Sequence, residues 1–204
     1  MSDQQPSLPS QPSTLRDAPG SPWRTLSARE AYRNPWLSVT EYQVIRPDGA
    51  PGIYGVVDPG DNVTIVALDN DEQVWIVEDF LYPIQMRGWF LPTGAVERGE
   101  EPSLAAQREL AEETGLRAAR WEPLGAFYLT PGVATQRSYL YLARDLTAGD
   151  HQREGTEATM TTRRMPLRDA CAASQRSEPA NAVTALGLWL TWSRLHGPLT
   201  PPAE

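Results

Sequence analysis

One segment constrains this chain more than any other. From Gly94 to Leu116 it reads Gly-Ala-Val-Glu-Arg-Gly-Glu-Glu-Pro-Ser-Leu-Ala-Ala-Gln-Arg-Glu-Leu-Ala-Glu-Glu-Thr-Gly-Leu. A turn leads into a helix with both ends marked. Pro102 falls in the first turn, where a missing amide hydrogen leaves no intrahelical bond unmade, and Gly115 stands just past the end. The pattern predicts a helix from about Pro102 to Thr114. At about 100° per residue, Glu109, Glu112 and Glu113 share one sector of roughly 100°, being spaced i, i+3 and i+4. Like charges so placed destabilise an isolated helix, and a divalent cation neutralises them. Carboxylate oxygens suit hard Mg²⁺ or Mn²⁺. Ala105 and Ala106, one turn earlier, leave that face open, while Arg108 is placed to pair with Glu100 or Glu112. Taken alone, such a face is more often a solvated acidic surface.

The rest of the chain supplies strands around this helix. Residues 1–22 are rich in Ser, Gln and Pro and carry almost no large apolar side chain, so they read as a disordered tail. Trp36 to Ile45 and Gly52 to Val57 are β-branched and aromatic runs separated by the turn Pro47-Asp-Gly-Ala50, a hairpin in an N-terminal strand region spanning 23–58. Asn62 to Leu68 and Gln73 to Val77, joined by Asp69-Asn-Asp-Glu72, read as the first hairpin of the main domain, 59–197. A loop from Leu81 to Gly88, a short run Trp89-Phe-Leu91 and a turn Pro92-Thr-Gly94 precede the helix. Strands at 126–129, 138–143 and about 159–164 follow, then helices at 167–175 and about 180–195, and a tail from 198 to 204. The order indicates an α+β fold with mixed sheets.

Composition narrows the partners. The 19 prolines of 204 residues cluster toward the ends, which locates the tails. A net charge of −8 argues against a nucleic-acid footprint or anionic lipid. A phosphorylated small molecule remains open, because cations held by carboxylates reverse the local field. Cys171 is the only cysteine, so no internal disulfide forms. No apolar run approaches a membrane span, no signal peptide is legible, and the chain reads as cytoplasmic. His151 reads as a solvated loop residue and His196 as complementing a helix dipole.

The full spacing adds more. Gly94, Glu100, Arg108-Glu109-Leu110, Glu112-Glu113 and Gly115-Leu116 match the Nudix box at every defining position. By composition alone such a match has a probability on the order of 10⁻⁸ to 10⁻⁷ in a chain this long. The chain, from roughly Ser27 to Leu195, resembles the Nudix hydrolase family, in particular its ADP-ribose pyrophosphatase and nucleotide-sugar branch. The resemblance implies an α/β/α sandwich with a mixed sheet, preceded by a small N-terminal antiparallel sheet, and a homodimer formed through those strands. It also implies a hydrolase that cleaves the diphosphate bond of a nucleoside diphosphate linked to another moiety. The rival expectation is a Nudix domain kept for ligand sensing or protein interaction.

The same resemblance implies roles. Glu109 and Glu113 are the chief metal ligands, Glu112 a ligand or base, and the backbone carbonyl of Thr93 a further ligand. Glu100 and Arg108 support the loop and helix, with Gly94 and Gly115 shaping the turn and the helix end. Three positions depart from the branch. Relatives carry a glutamate five residues beyond the proline of a Pro-Gly loop, where Pro131-Gly-Val-Ala-Thr-Gln136 has Gln136. A glutamine orients water but does not take its proton, so Glu112, Glu154 or Glu157 would substitute as base. Leu81 precedes Tyr82-Pro83 where relatives have arginine, with Arg87 as a replacement cation. Phe90 stands where relatives carry glutamate. Tyr82, Trp89 and Phe90 are the aromatics available to stack on a base, although strand aromatics are more often core.

Overall fold

The structure, a computed structural model, describes residues 17–149, 159–176, 178 and 181–197. Residues 1–16 of the tail expected at 1–22, the tail expected at 198–204, and His151, Glu154 and Glu157 lie outside the described residues. The chain divides into two compact units.

The first unit comprises residues 17–60 and 128–136. Strands β1 (Arg24–Arg33), β2 (Ser38–Ile45) and β3 (Pro51–Asp58) form one antiparallel sheet in that order. The β2–β3 hairpin closes where Arg46 N–H bonds to the Ala50 carbonyl at 2.9 Å, and Gly49 takes a φ of +83° that other residues avoid. The sequence pattern indicated β2 and β3 but not β1. Most of β1 is exposed, and two register shifts interrupt its pairing, so no alternation of apolar and polar residues marks it. The segment 128–136 attaches to β3 through Val57 N–H to Val133 carbonyl (2.8 Å) and Thr135 N–H to Val57 carbonyl (3.1 Å). Tyr42 and Val44 form the buried centre of this unit.

The second unit holds β4 (Asn62–Ala67), β5 (Gln73–Leu81), β6 (Met86–Phe90), β7 (Thr93–Ala95), α1 (Pro102–Thr114), most of β8 (Leu116–Tyr128), β9 (Arg137–Ala148), β10 (Thr161–Pro166), α2 (Leu167–Gln175) and α3 (Ala182–His196). One sheet runs β7-β4-β9-β8, with β4 antiparallel to β7 and parallel to β9; the other runs β10-β5-β6, all antiparallel. Strand β4 is apolar almost throughout and buried on both faces, as a strand covered by helices on each side must be. Val63, Ile65 and Ala67 pack with Ala105, Ala106 and Leu110 of α1. Val66 and Leu68 point the other way, into a core with Leu167 of α2 and Leu188 of α3. This is the α/β/α sandwich with a mixed sheet. Close approach on the second face depends on Gly187, where a Cβ would lie 3.0 Å from Leu91 and 3.3 Å from Val66.

Several local expectations change. The runs read as a hairpin, β4 and β5, lie in different sheets, tied only by the Leu68–Val74 bridge across their turn. Both edges of β4 are taken by β7 and β9, which leaves β5 to pair with β6 and β10. The loop expected from Leu81 to Gly88 contains a single 3-10 turn, Tyr82–Ile84, after which β6 begins at Met86. Thr93 and Gly94, expected in a turn, form strand β7. Strand β8 starts directly after Gly115, ten residues before the expected position.

Candidate active site

The site is built on α1 and the chain leading into it. Gly115 ends the helix with a φ of 68° and its N–H bonded to the Ala111 carbonyl at 2.9 Å, a left-handed cap. The helix turns Ala105, Ala106 and Leu110 into the core, and Glu109 and Glu113 share the buried face. Their exposures, 7% and 3%, decide against a solvated acidic surface. A buried carboxylate requires compensating donors or cations. Glu113 Oε2 accepts from the Thr93 backbone N–H at 2.9 Å, and Glu109 Oε1 accepts from Arg108 Nη1 at 2.7 Å. Glu112, on the rim, accepts from the same Nη1 at 3.2 Å.

Arg108 is the hub. Its fork grips Glu100 through Nε at 3.1 Å and Nη2 at 2.9 Å, and Nη2 also donates to the Ala95 carbonyl at 2.9 Å. Glu100 in turn accepts from the Glu97 N–H, so the loop between β7 and α1 is pinned to the helix it precedes. The Arg108 guanidinium holds the Glu100 carboxyl below the usual carboxylate range, and Glu100 foremost, then Glu109, raises the arginine's affinity for its proton.

Gly94 has a separate function. A Cβ built there would fall 1.9 Å from Glu109 Cδ and about as close to both oxygens. Only glycine lets the carboxylate lie across β7. Two buried carboxylates, a third at the rim and the backbone at Thr93 make an all-oxygen donor set, chemistry that fits a hard divalent cation. Among the described residues no three acidic, His or Cys side chains are already converged to chelate one, the guanidinium of Arg108 being the cation that bridges Glu109 and Glu112.

The other expected site residues are dispersed. Tyr82 is 79% exposed on the 3-10 turn. Arg87 Nη2 donates to the Thr159 carbonyl at 3.2 Å. Trp89 is buried in the core beneath α2 and α3, and Phe90 packs with Val77 and Met160, the core position that strand aromatics more often take. Gln136 belongs to the first unit, its carbonyl accepting from Leu129 N–H at 3.2 Å. His196 sits at the end of α3, 3.1 Å from Glu72. The sequence reading missed Asn62, Thr64 and Ser138, which join Thr93 in one hydrogen-bonded group. The signal was present: polar residues at inward positions of otherwise apolar strands.

Comparison with known proteins agrees with this arrangement. Residues 58–186 match the family described as NUDIX domain, and residues 23–57 match the nucleoside diphosphate sugar hydrolase N-terminal domain. The chain is 30% identical over 168 residues to an ADP-ribose pyrophosphatase of Mycobacterium tuberculosis, covering 81% of each. To an ADP-ribose pyrophosphatase of Bacillus subtilis it is 27% identical over 166 residues, covering 81% of this chain and 90% of the relative. A solved structure titled "Crystal structure of ADP compounds hydrolase" superposes with a TM-score of 0.75 at 21% identity, over 87% of this chain and 97% of the other, a likeness of fold. With the glutamate helix, the glycine it needs and the sandwich around them in agreement with these matches, the chain belongs to the Nudix hydrolase family.

Proposed function

We propose that this hydrolase cleaves the diphosphate bond of ADP-ribose or a nucleotide sugar, using Mg²⁺ or Mn²⁺. The observation that carries the reading is the burial of Glu113 on the Thr93 amide and of Glu109 against Gly94, where a Cβ has no room. Two relatives that are ADP-ribose pyrophosphatases, and the match of 23–57 to a nucleoside diphosphate sugar hydrolase domain, support the substrate class.

In this reading Glu109, Glu113 and the Thr93 carbonyl hold the metal, and Glu112 is the base rather than a ligand. A bound divalent ion supplies positive charge to the phosphates and acidifies water. The chain's own residues do the rest. Glu113 is held by the Thr93 amide, Glu109 by Arg108, and Arg108 by Glu100, so the carboxylates are oriented before any ligand arrives. Glu112, on the rim with its side chain 32% exposed, is the group that accepts the proton of the attacking water, since the amide of Gln136 cannot. Exposed Tyr82 is the aromatic retained for stacking on a base, and Arg87 the cation retained for a phosphate. Exposed Leu26, Tyr32 and Ile53 on the N-terminal strands, with Trp36 between β1 and β2, support a homodimer, which a monomeric mass at micromolar concentration would exclude. No helix among the described residues is long and apolar enough to cross a membrane, and with a single cysteine a cytoplasmic location is part of the same reading.

The test is a Mg²⁺-dependent hydrolysis screen of ADP-ribose, nucleotide sugars, dinucleoside polyphosphates and nucleoside triphosphates, with Glu113→Gln alongside. Turnover of the first two classes, abolished in the variant, is expected. Turnover indifferent to the substitution, or confined to triphosphates, would overturn the reading.

A further inference from the structure

Counting protons through the polar group behind Glu113 gives it a direction. Thr93 has one hydroxyl proton and places it on the Val63 carbonyl at 2.6 Å. The 3.3 Å contact between the hydroxyls of Thr93 and Thr64 must then be donated by Thr64. With its proton so used, Thr64 must accept from Ser138 Oγ at 3.0 Å. Asn62 Nδ2 donates to the Thr93 oxygen at 3.3 Å. The Thr93 hydroxyl therefore donates one bond and accepts two, its full capacity.

The chain of hydroxyls crosses three adjacent strands, Ser138 on β9, Thr64 on β4 and Thr93 on β7. Ser138 and Thr64 are 0% and 1% exposed, so water does not compete for these bonds. The far end of the chain is the Val63 carbonyl, on the residue paired with Gly94. Thr93 thus fastens β7 to β4 by its side chain as well as its backbone, at the residue whose N–H holds Glu113 at 2.9 Å and beside the glycine that makes room for Glu109. A strand of three residues has few ladder bonds of its own to fix this geometry.

We propose that the Thr93 side chain, as distinct from the backbone carbonyl read as a ligand, is a positioning group for the metal carboxylates, and that its hydroxyl, oriented by Thr64 and Ser138, sets where Glu113 and Glu109 lie. The proposal rests on the reading of Glu113 as a metal ligand. Within it, the side chain at position 93 acts on metal affinity without touching metal or substrate. An alanine or valine there keeps the backbone amide but removes the bond to the Val63 carbonyl and the acceptor of Asn62 Nδ2, and so releases the strand. Serine keeps the hydroxyl and the chain of bonds.

The test is Mn²⁺ binding to the full chain without substrate, followed by electron paramagnetic resonance, in wild type, Thr93→Val, Thr93→Ser, Ser138→Ala and Glu113→Gln. Thr93→Val is expected to raise the Mn²⁺ dissociation constant about 10- to 100-fold, the range seen when groups orienting metal ligands are removed. Thr93→Ser should stay near wild type, and Ser138→Ala, two hydroxyls away, should fall between. Should Thr93→Val fail to fold, the order of Ser138→Ala and Thr93→Ser against wild type carries the same information. Wild-type Mn²⁺ affinity in Thr93→Val or Ser138→Ala, with binding lost in Glu113→Gln, would overturn this inference alone. Unchanged affinity in Glu113→Gln would overturn the metal-site reading and this inference with it.

Discussion

Gly94→Ala isolates the geometry on which the site depends. Gly94 does not have a positive φ, so alanine meets no backbone strain there and the effect is one of space alone. The new methyl carbon would stand 1.9 Å from Glu109 Cδ, whereas ordinary contact begins near 3.4 Å. The carboxylate must therefore move by about 1.5 Å, the difference of the two. A misplacement of about 1 Å at a reacting centre reduces rate on the order of 10²-fold, close to 2.7 kcal/mol of transition-state stabilisation. The move also breaks the Arg108–Glu109 contact, and a hydrogen bond to a charged group contributes about 1.5 to 3 kcal/mol. For a chain of this size, 1 kcal/mol shifts Tm by about 2–4 °C. The assay is Mg²⁺-dependent ADP-ribose hydrolysis with a thermal melt on the same samples. Gly55→Ala on β3 is the control, since nothing lies within 4 Å of its Cβ. Activity of Gly94→Ala within about twofold of wild type would refute the argument, because a 10²-fold loss could not be hidden by experimental scatter.

Three other outcomes follow from particular contacts. The Glu100 carboxyl is held below its ordinary value of 4.5 by Arg108, so its contribution to stability is complete above that pH and disappears as pH falls through the lower, folded value; the stability gap between wild type and Glu100→Gln should be flat near neutrality and close in acid, and a gap that widens in acid would reverse the sign. With Glu112 taking the proton of the attacking water, Gln136→Glu should leave kcat within about tenfold of wild type; a rise approaching the 10²- to 10⁴-fold typical of a general base would show that Glu112 does not act as one. Burial pushes the Cys171 thiol up to about 12, so it should resist alkylation at pH 8 until the protein unfolds, and labelling of the native chain at the rate of a free thiol would contradict that burial.

What was legible in the sequence was what is local. The ends of α1 are written in Pro102 and Gly115, and the carboxylate face follows from spacing alone. The Arg108 pairing was legible as a choice between Glu100 and Glu112, and the structure makes both. The sheet membership of β4 and β5 was not legible, because their turn is a local signal and the partners that separate them, β7 and β9 for one and β10 for the other, are distant in sequence, while the pairing of β5 with the nearby β6 was hidden in a segment that read as a loop. Strand β1 gave no alternation, being exposed along most of its length. Trp89 could have been core or contact, and only its packing among α2 and α3 decides it. The hydroxyl chain from Ser138 to Thr93 needs three strands brought side by side before it exists at all.

The two-sided burial of β4 bears on how this enzyme would fail. A strand whose Val63, Ile65 and Ala67 support the glutamate helix, and whose Val66, with Leu68 just beyond it, supports the opposite helices, has no face from which it can be peeled away. Its amides should be among the last in the second unit to exchange with heavy water, opening only with the whole unit. Heat or denaturant should then abolish hydrolysis in a single step coincident with the loss of that protection, with no loosened form of the unit that keeps its fold and has lost its carboxylates.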